Sequence, residues 1–302
     1  MTQDWRTRER IPYWSPETRP RFTWPDGKRI AVWIVPNLEY YEYLPERYDF
    51  RNQFGRIAHP DVMQWGFRDY GNRVGVWRMA ETLARYPVKV TASTNLAIFG
   101  HCPEIAALVR ERQWDVMSHG LYNTRYLSRS TREEEASAHA QDVALCHKHT
   151  GLPLSGILGP CVTNSAWTMD LVAEAGMIYH ADWVHDDVPA PIKVDKGRLI
   201  SLPYNYDIND GPALEGHYDG DYLVEVCTRQ FDRLRSEAVD GGLVYCLPLH
   251  TYLIGQPHTI GYLERILDHI CRFDDVWFAT GAEIAHAAMP TIDAWLAKQG
   301  RS

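Results

Sequence analysis

Residues 29–39 read Arg29-Ile30-Ala31-Val32-Trp33-Ile34-Val35-Pro36-Asn37-Leu38-Glu39. An unbroken apolar run rich in β-branched residues, with no polar alternation, is the pattern of a strand covered on both faces, as in a parallel sheet. The exit after Val35 carries Pro36-Asn37-Leu38-Glu39 and lacks the glycine-rich turn that cradles a dinucleotide, so a nicotinamide-binding fold is disfavoured. The chain leaves this strand on an amide and a carboxylate.

Runs of the same kind recur outward from it. They predict further strands over Val88–Thr94, Trp114–Met117, Gly156–Leu158, Ile178–Asp182, Leu199–Pro203, Leu243–Leu247 and Val276–Ala279. Helices are expected between them. Gly75–Tyr86 has apolar residues at helical spacing and stops at Pro87, and Pro103–Arg112 opens on proline. Thr131–Thr150 begins with the capping-box pair Thr131 and Glu134 and ends at Gly151. Ser165–Ala175, Tyr222–Ala238 and Tyr262–Arg272 follow the same pattern. Alternation of this kind predicts an α/β fold, a distorted (β/α) barrel, with a doubly wound open sheet as the alternative.

The 302 residues suit one catalytic domain over 1–302, and 45% apolar content is enough for a large core. A net charge of −8 with no basic cluster argues against a nucleic-acid partner. No apolar run approaches the ~20 residues that cross a bilayer, so no membrane is expected. The six scattered cysteines form no C-x-x-C pair and are expected as reduced, mostly buried thiols. With a polar, charged start and no secretory h-region, the expected compartment is cytoplasmic. The 1–24 arm carries Trp5, Tyr13, Trp14 and Phe22. It is too aromatic to lie free in water and is expected to pack on its own barrel or on a neighbouring subunit, which favours a homo-oligomer.

A parallel barrel gathers reactive groups at the carboxyl ends of its strands. Those exits hold Asn37 and Glu39, then Thr94-Asn95, then Ser118-His119-Gly120 with Asn123, then Gly159-Pro160. Later exits hold Asp182-Trp183 with Asp186-Asp187, Asn209-Asp210, and His250 with His258 beyond it. An acid and imidazoles recurring at several exits point to one pocket. His139, His147 and His149 fall on a predicted helix and are expected to be solvated.

In this order the pieces resemble the polysaccharide deacetylase (NodB-homology) superfamily, most of all its branch of PuuE-type allantoinases and cyclic imide hydrolases. The resemblance rests on residues 24–32, Tyr70-Gly71-x-Arg73-x-Gly75-x-Trp77-Arg78, Ser118-His119-Gly120, Asp186-Asp187-x-Pro189, Gly255-Gln256-Pro257-His258 and residues 277–285. It implies a NodB-type distorted barrel and hydrolysis of a carbon–nitrogen bond other than a peptide bond. It also implies that the usual Asp-His-His zinc set falls on Tyr40, His119 and Asn123. A phenol, one imidazole and an amide make a poor zinc site. Hence no cofactor is expected, and a divalent metal such as zinc, if held, would use Glu39 and His119.

The mechanism that follows is hydrolysis of a small, cyclic amide or imide. Glu39 is the base, its pKa raised by partial burial among Tyr40, Tyr41 and Trp183. His119 with Asn123 holds the carbonyl oxygen or the substrate amide, and His250 is the proton donor, oriented by Asp182 or Asp186. Asn37, Tyr40, Asn123, Asp182, Trp183, Asp186, Asp187, Asn209 and His258 are the candidate substrate-binding residues. The competing readings are a metal-dependent carbohydrate N-deacetylase and a non-catalytic small-molecule-binding protein on the same fold.

Overall fold

The computed structural model describes residues 10–45, 60–215 and 219–298. Among them the chain forms β1 (Ile30–Leu38), α1 (Val62–Tyr70), a π-helical stretch (Gly71–Gly75), α2 (Val76–Leu83), β2 (Thr91–Thr94), α3 (Ile98–His101), α4 (Pro103–Glu111) and β3 (Asp115–Ser118). There follow α5 (Arg132–Thr150), β4 (Gly156–Ile157), α6 (Thr168–Glu174), β5 (Tyr179–His180), β6 (Ala190–Ile192) and β7 (Leu199–Ser201). The last elements are α7 (Asp210–Glu215), α8 (Gly220–Glu237), β8 (Leu243–His250), α9 (Ile260–Ile270), β9 (Val276–Phe278) and α10 (Gly281–Lys298).

The strands form one curled sheet in the order β6-β7-β5-β4-β3-β2-β1-β8, with β9 also on β1. All pairs are parallel except β6 with β7. Every residue of β1 is buried, as its apolar run requires. Its lower half, Ile30–Val32, pairs with β9, while Asn37 and Leu38 pair with β2. Along its other edge it runs in register with β8 from Ile30↔Leu243 to Asn37↔His250. That register sets the exits of β1 and β8, and so Glu39 and His250, side by side. The distorted barrel expected from the strand pattern is the fold observed.

Helix α5 starts as expected, with the reciprocal Thr131–Glu134 capping box, and ends on Gly151 at φ 73°. Its inner face is not apolar. Glu135, His139 and Asp142 are buried there, so the expectation of a solvated His139 is corrected. Asp142 accepts from Ser118 Oγ at 2.7 Å, and that oxygen accepts from Gly120 N at 2.9 Å, which secures the turn after His119.

Residues 1–9 of the arm, Trp5 among them, lie outside the described residues. From residue 10 on, the arm lies along the barrel. Trp14 meets Trp295 edge-on at 5.0 Å and gives its indole N–H to Asp186, Arg10 pairs with Asp170 at 2.8 Å, and Trp24 donates to the Leu243 carbonyl. Tyr13 is 92% exposed. The cysteines are free thiols, with Cys146, Cys227 and Cys246 buried. No helix of the described residues is long and apolar enough to cross a membrane.

Candidate active site

Glu39 sits just past the end of β1, 5% exposed, and its two carboxylate oxygens have different neighbours. Oε1 faces the Nε2 atoms of His119 and of His250, each at 3.5 Å. Oε2 accepts the Tyr41 hydroxyl at 2.9 Å. The Tyr41 oxygen in turn accepts from Asn123 Nδ2. An acid from β1, one imidazole from the β3 exit and one from the β8 exit therefore meet at a single oxygen atom.

Amides hold the main chain around this acid. Asn72 donates to the Glu39 carbonyl at 3.0 Å, and Asn95 accepts from Tyr40 N at 2.8 Å while donating to the His119 carbonyl. The Asn123 N–H goes to the Tyr40 carbonyl at 3.0 Å. Asn72 reaches its place from the π-helical stretch, which packs main chain against main chain. A Cβ at Gly75 would lie 2.0 Å from the Thr251 carbonyl oxygen, and one at Gly71 would lie 2.4 Å from Thr251 Oγ1. A Cβ at Gly255 would lie 2.2 Å from that same carbonyl oxygen. Single π-turns inside helices often mark functional sites for this reason: they re-aim one side chain without ending the helix.

The imidazoles are oriented from behind. His119 Nδ1 donates to the Leu158 carbonyl at 2.8 Å, which leaves Nε2 toward Glu39. His250 Nδ1 donates to Asp210 Oδ1 at 2.7 Å, and the His250 main-chain N–H donates to Oδ2 at 2.8 Å. The acid that orients His250 is therefore Asp210, the first residue of α7, and neither Asp182 nor Asp186. Burial alone would lower the His250 pKa, but Asp210 and Glu39 outweigh it and raise the group to about 10. Burial alone would raise Glu39, but the charge on His250 and the contacts of both imidazoles together hold it well below the usual carboxylate value. The expected rise at Glu39 is thus corrected, because a cation lies beside the buried acid. Burial and then the Glu39 charge push Tyr41 upward, so its hydroxyl keeps its proton.

This pairing has a sign in stability. His250 is raised from an ordinary ~6.5, so its stabilisation is complete below that pH and is lost as pH climbs toward about 10. Between pH 6.5 and 8 the buried thiols do not yet titrate. His149, His180 and His185, lowered by burial, act with the opposite sign in both proteins, so across that interval the unfolding temperature of the wild type should fall relative to that of His250→Gln. Equal slopes in the two proteins would contradict the assignment.

The other candidate residues are placed as follows. Asn37 gives its amide N–H to Tyr204 Oη and to the Leu249 carbonyl, beneath the site. Tyr40 does not face Glu39: its ring stacks on His101 at 4.3 Å, because consecutive residues of an extended chain point to opposite sides. Asn209 turns onto its own backbone, accepting Gly211 N at 2.8 Å and so starting α7. Asp182 is buried and serves Gly159 N and Asn164, next to the Leu158 carbonyl that holds His119. Trp183 is 38% exposed, with its indole N–H toward Met169 Sδ.

Asp186 and Asp187 are likewise not brought to Glu39. Asp186 holds Arg19 and Trp14 of the arm, and the Asp187 carbonyl accepts from Val244 at the amino end of β8. That end lies roughly 20 Å of strand away from His250. His258 is exposed on the turn beyond β8.

Sequence reasoning missed Asn72 and the buried cation Arg68. The Arg68 guanidinium lies 4.7 Å from the centre of the Tyr41 ring and 5.6 Å from that of Tyr252. A detectable signal was the spacing of Tyr41, two residues past Glu39 and hence on its side of the chain.

The zinc set implied by the resemblance does not fit these residues. Tyr40 points to His101, and Asn123 spends its nitrogen on Tyr41. With Tyr40 turned away, His119 and the neutral amide oxygen of Asn123 are left, short of the three strong donors of a catalytic zinc site. Among the described residues, no group of three or more His, Cys, Asp or Glu side chains is arranged to hold a metal ion.

Curled sheet, parallel exits and clustered polar groups together define a distorted (β/α) barrel with its polar groups gathered at the strand exits. No protein-family model matches the chain. In sequence it is 24% identical over 293 residues to a Schizosaccharomyces pombe protein described as "Putative polysaccharide deacetylase", covering 87% of this chain and 91% of that one. In structure it is similar to a probable polysaccharide deacetylase from Pseudomonas aeruginosa PAO1, with a TM-score of 0.83, 23% identity, and 94% and 98% of the two chains covered. Similarity to PuuE allantoinase is of the same order, with a TM-score of 0.81, 23% identity and the same coverage.

Proposed function

We propose that the protein hydrolyses a carbon–nitrogen bond other than a peptide bond, in a small cyclic amide, imide or ureide, with side chains in place of a metal. One observation carries this reading: a buried carboxylate oxygen flanked at 3.5 Å by two imidazole nitrogens, one of them backed by Asp210. The fold shared with deacetylases and an allantoinase supports the reaction class.

Water held on Glu39 Oε1 gives it a proton and attacks the ring carbonyl. As substrate separates Glu39 from His250, the contact that keeps the carboxylate acidic weakens and its proton affinity rises. The charged His250 then passes its Nε2 proton to the ring nitrogen as the carbon–nitrogen bond breaks. The products are a carboxylic acid and a free N–H. The second Asn123 N–H stabilises the oxyanion, and His119 lies against the attacking water. A ring imide or ureide suits such a site, because its nitrogen leaves more readily than that of an acetamide.

The test is a panel of succinimide, hydantoin, allantoin and acetylated glucosamine oligomers, assayed with and without chelator. Chelator-resistant opening of a ring is expected. Turnover confined to the sugars and abolished by chelator would refute the reading.

A further inference from the structure

Asn123 is 7% exposed and is bound through one limb only. Its Nδ2 goes to the Tyr41 oxygen. Its Oδ1 is buried and has no hydrogen-bond partner among the described residues. The orientation of this amide is forced. Glu39 is ionised and can only accept, so the Tyr41 hydroxyl proton points to Oε2. The Tyr41 oxygen then has only lone pairs left, and its second partner must donate. A flipped Asn123 would set two acceptors face to face.

The carbonyl limb is thus left free by the catalytic acid itself, one residue removed from it. A buried acceptor without a partner is unfavourable, and beside a catalytic acid a ligand is one source of the missing donor. We infer that Asn123 Oδ1 receives an unsubstituted N–H of the substrate, so the site selects rings whose nitrogen carries hydrogen over their N-alkylated counterparts. This deepens the hydrolase reading and rests on it for the location of the substrate. A site built to bond an N–H discriminates strongly against the analogue lacking it, since the acceptor then stays unpaired.

The test compares succinimide with N-methylsuccinimide, and hydantoin with 1,3-dimethylhydantoin, on the full chain. Binding is measured on the wild type, which keeps the charged Glu39 that sets the amide's orientation, by calorimetry where a ring is not turned over and as KM where it is, and turnover is followed on the same protein. The N–H member of each pair is expected to bind about 10- to 100-fold more tightly. Adding Asn123→Leu, which keeps the bulk but removes the acceptor, should bring the ratio below about threefold.

Equal binding within the pairs, no binding of any ring, or a ratio unchanged in Asn123→Leu would overturn the inference. The last result would assign the preference to steric exclusion. Selective binding without wild-type turnover would defeat the hydrolase reading and leave the role of Asn123 standing.

Discussion

Glu39→Gln should lower kcat/KM on the best ring substrate by about 10³-fold or more, with KM changed little. The substitution keeps the volume and the hydrogen bond to Tyr41 but removes the carboxylate assigned to take a proton from water. It also withdraws one of the two charges that raise His250, so the alkaline limb of the pH–rate profile should move to lower pH. Because Asp210 still pairs with His250, the protein should remain folded. A variant within tenfold of the wild type, with its alkaline limb unmoved, would take the base role away from Glu39.

Asp210→Asn should cost about 10³-fold in kcat. Asp210 accepts two donors at once, the imidazole Nδ1–H and the His250 main-chain N–H. An asparagine has one oxygen for these two donors. If that oxygen keeps the main chain, its NH₂ faces Nδ1, drives the proton to Nε2 and leaves a neutral ring in place of a proton donor. The proton on His250 is then lost near the ordinary histidine range, and the alkaline limb should fall by units of pH. Unaltered kcat and limb would mean that another group protonates the leaving nitrogen.

Much of the frame was legible because strands covered on both faces spell themselves out as apolar runs, β1 and β8 above all. β6 was not, since Ala190-Pro191-Ile192 is short, carries a proline and runs against its neighbour. Helix α1 hid for a better reason. Val62 and Met63 are 63% and 54% exposed, while Gln64 and Arg68 are buried, so its apolar pattern points outward. Helix α5 misled likewise, because charged residues face inward as well as outward, and His139 read as solvated. In the site, Glu39, His119 and His250 were readable from strand exits alone. Asp210 was not singled out, because Asn209-Asp210-Gly211-Pro212 reads as a turn. Asp186-Asp187 misled because the chain leaves the rim after β5 and descends to the far end of β8.

The seam of Gly71, Gly75 and Gly255 against Thr251 fastens the segment that carries Asn72, and with it the carbonyl of the acid, to the residue immediately after His250. With no side chain inserted between these two segments, the spacing of acid and donor is fixed by backbone thickness. Diversification of such a catalyst toward larger or smaller rings would therefore have to proceed through the surrounding walls, such as the Arg68, Tyr41 and Tyr252 cluster, while the reach between the two proton-handling groups stays constant.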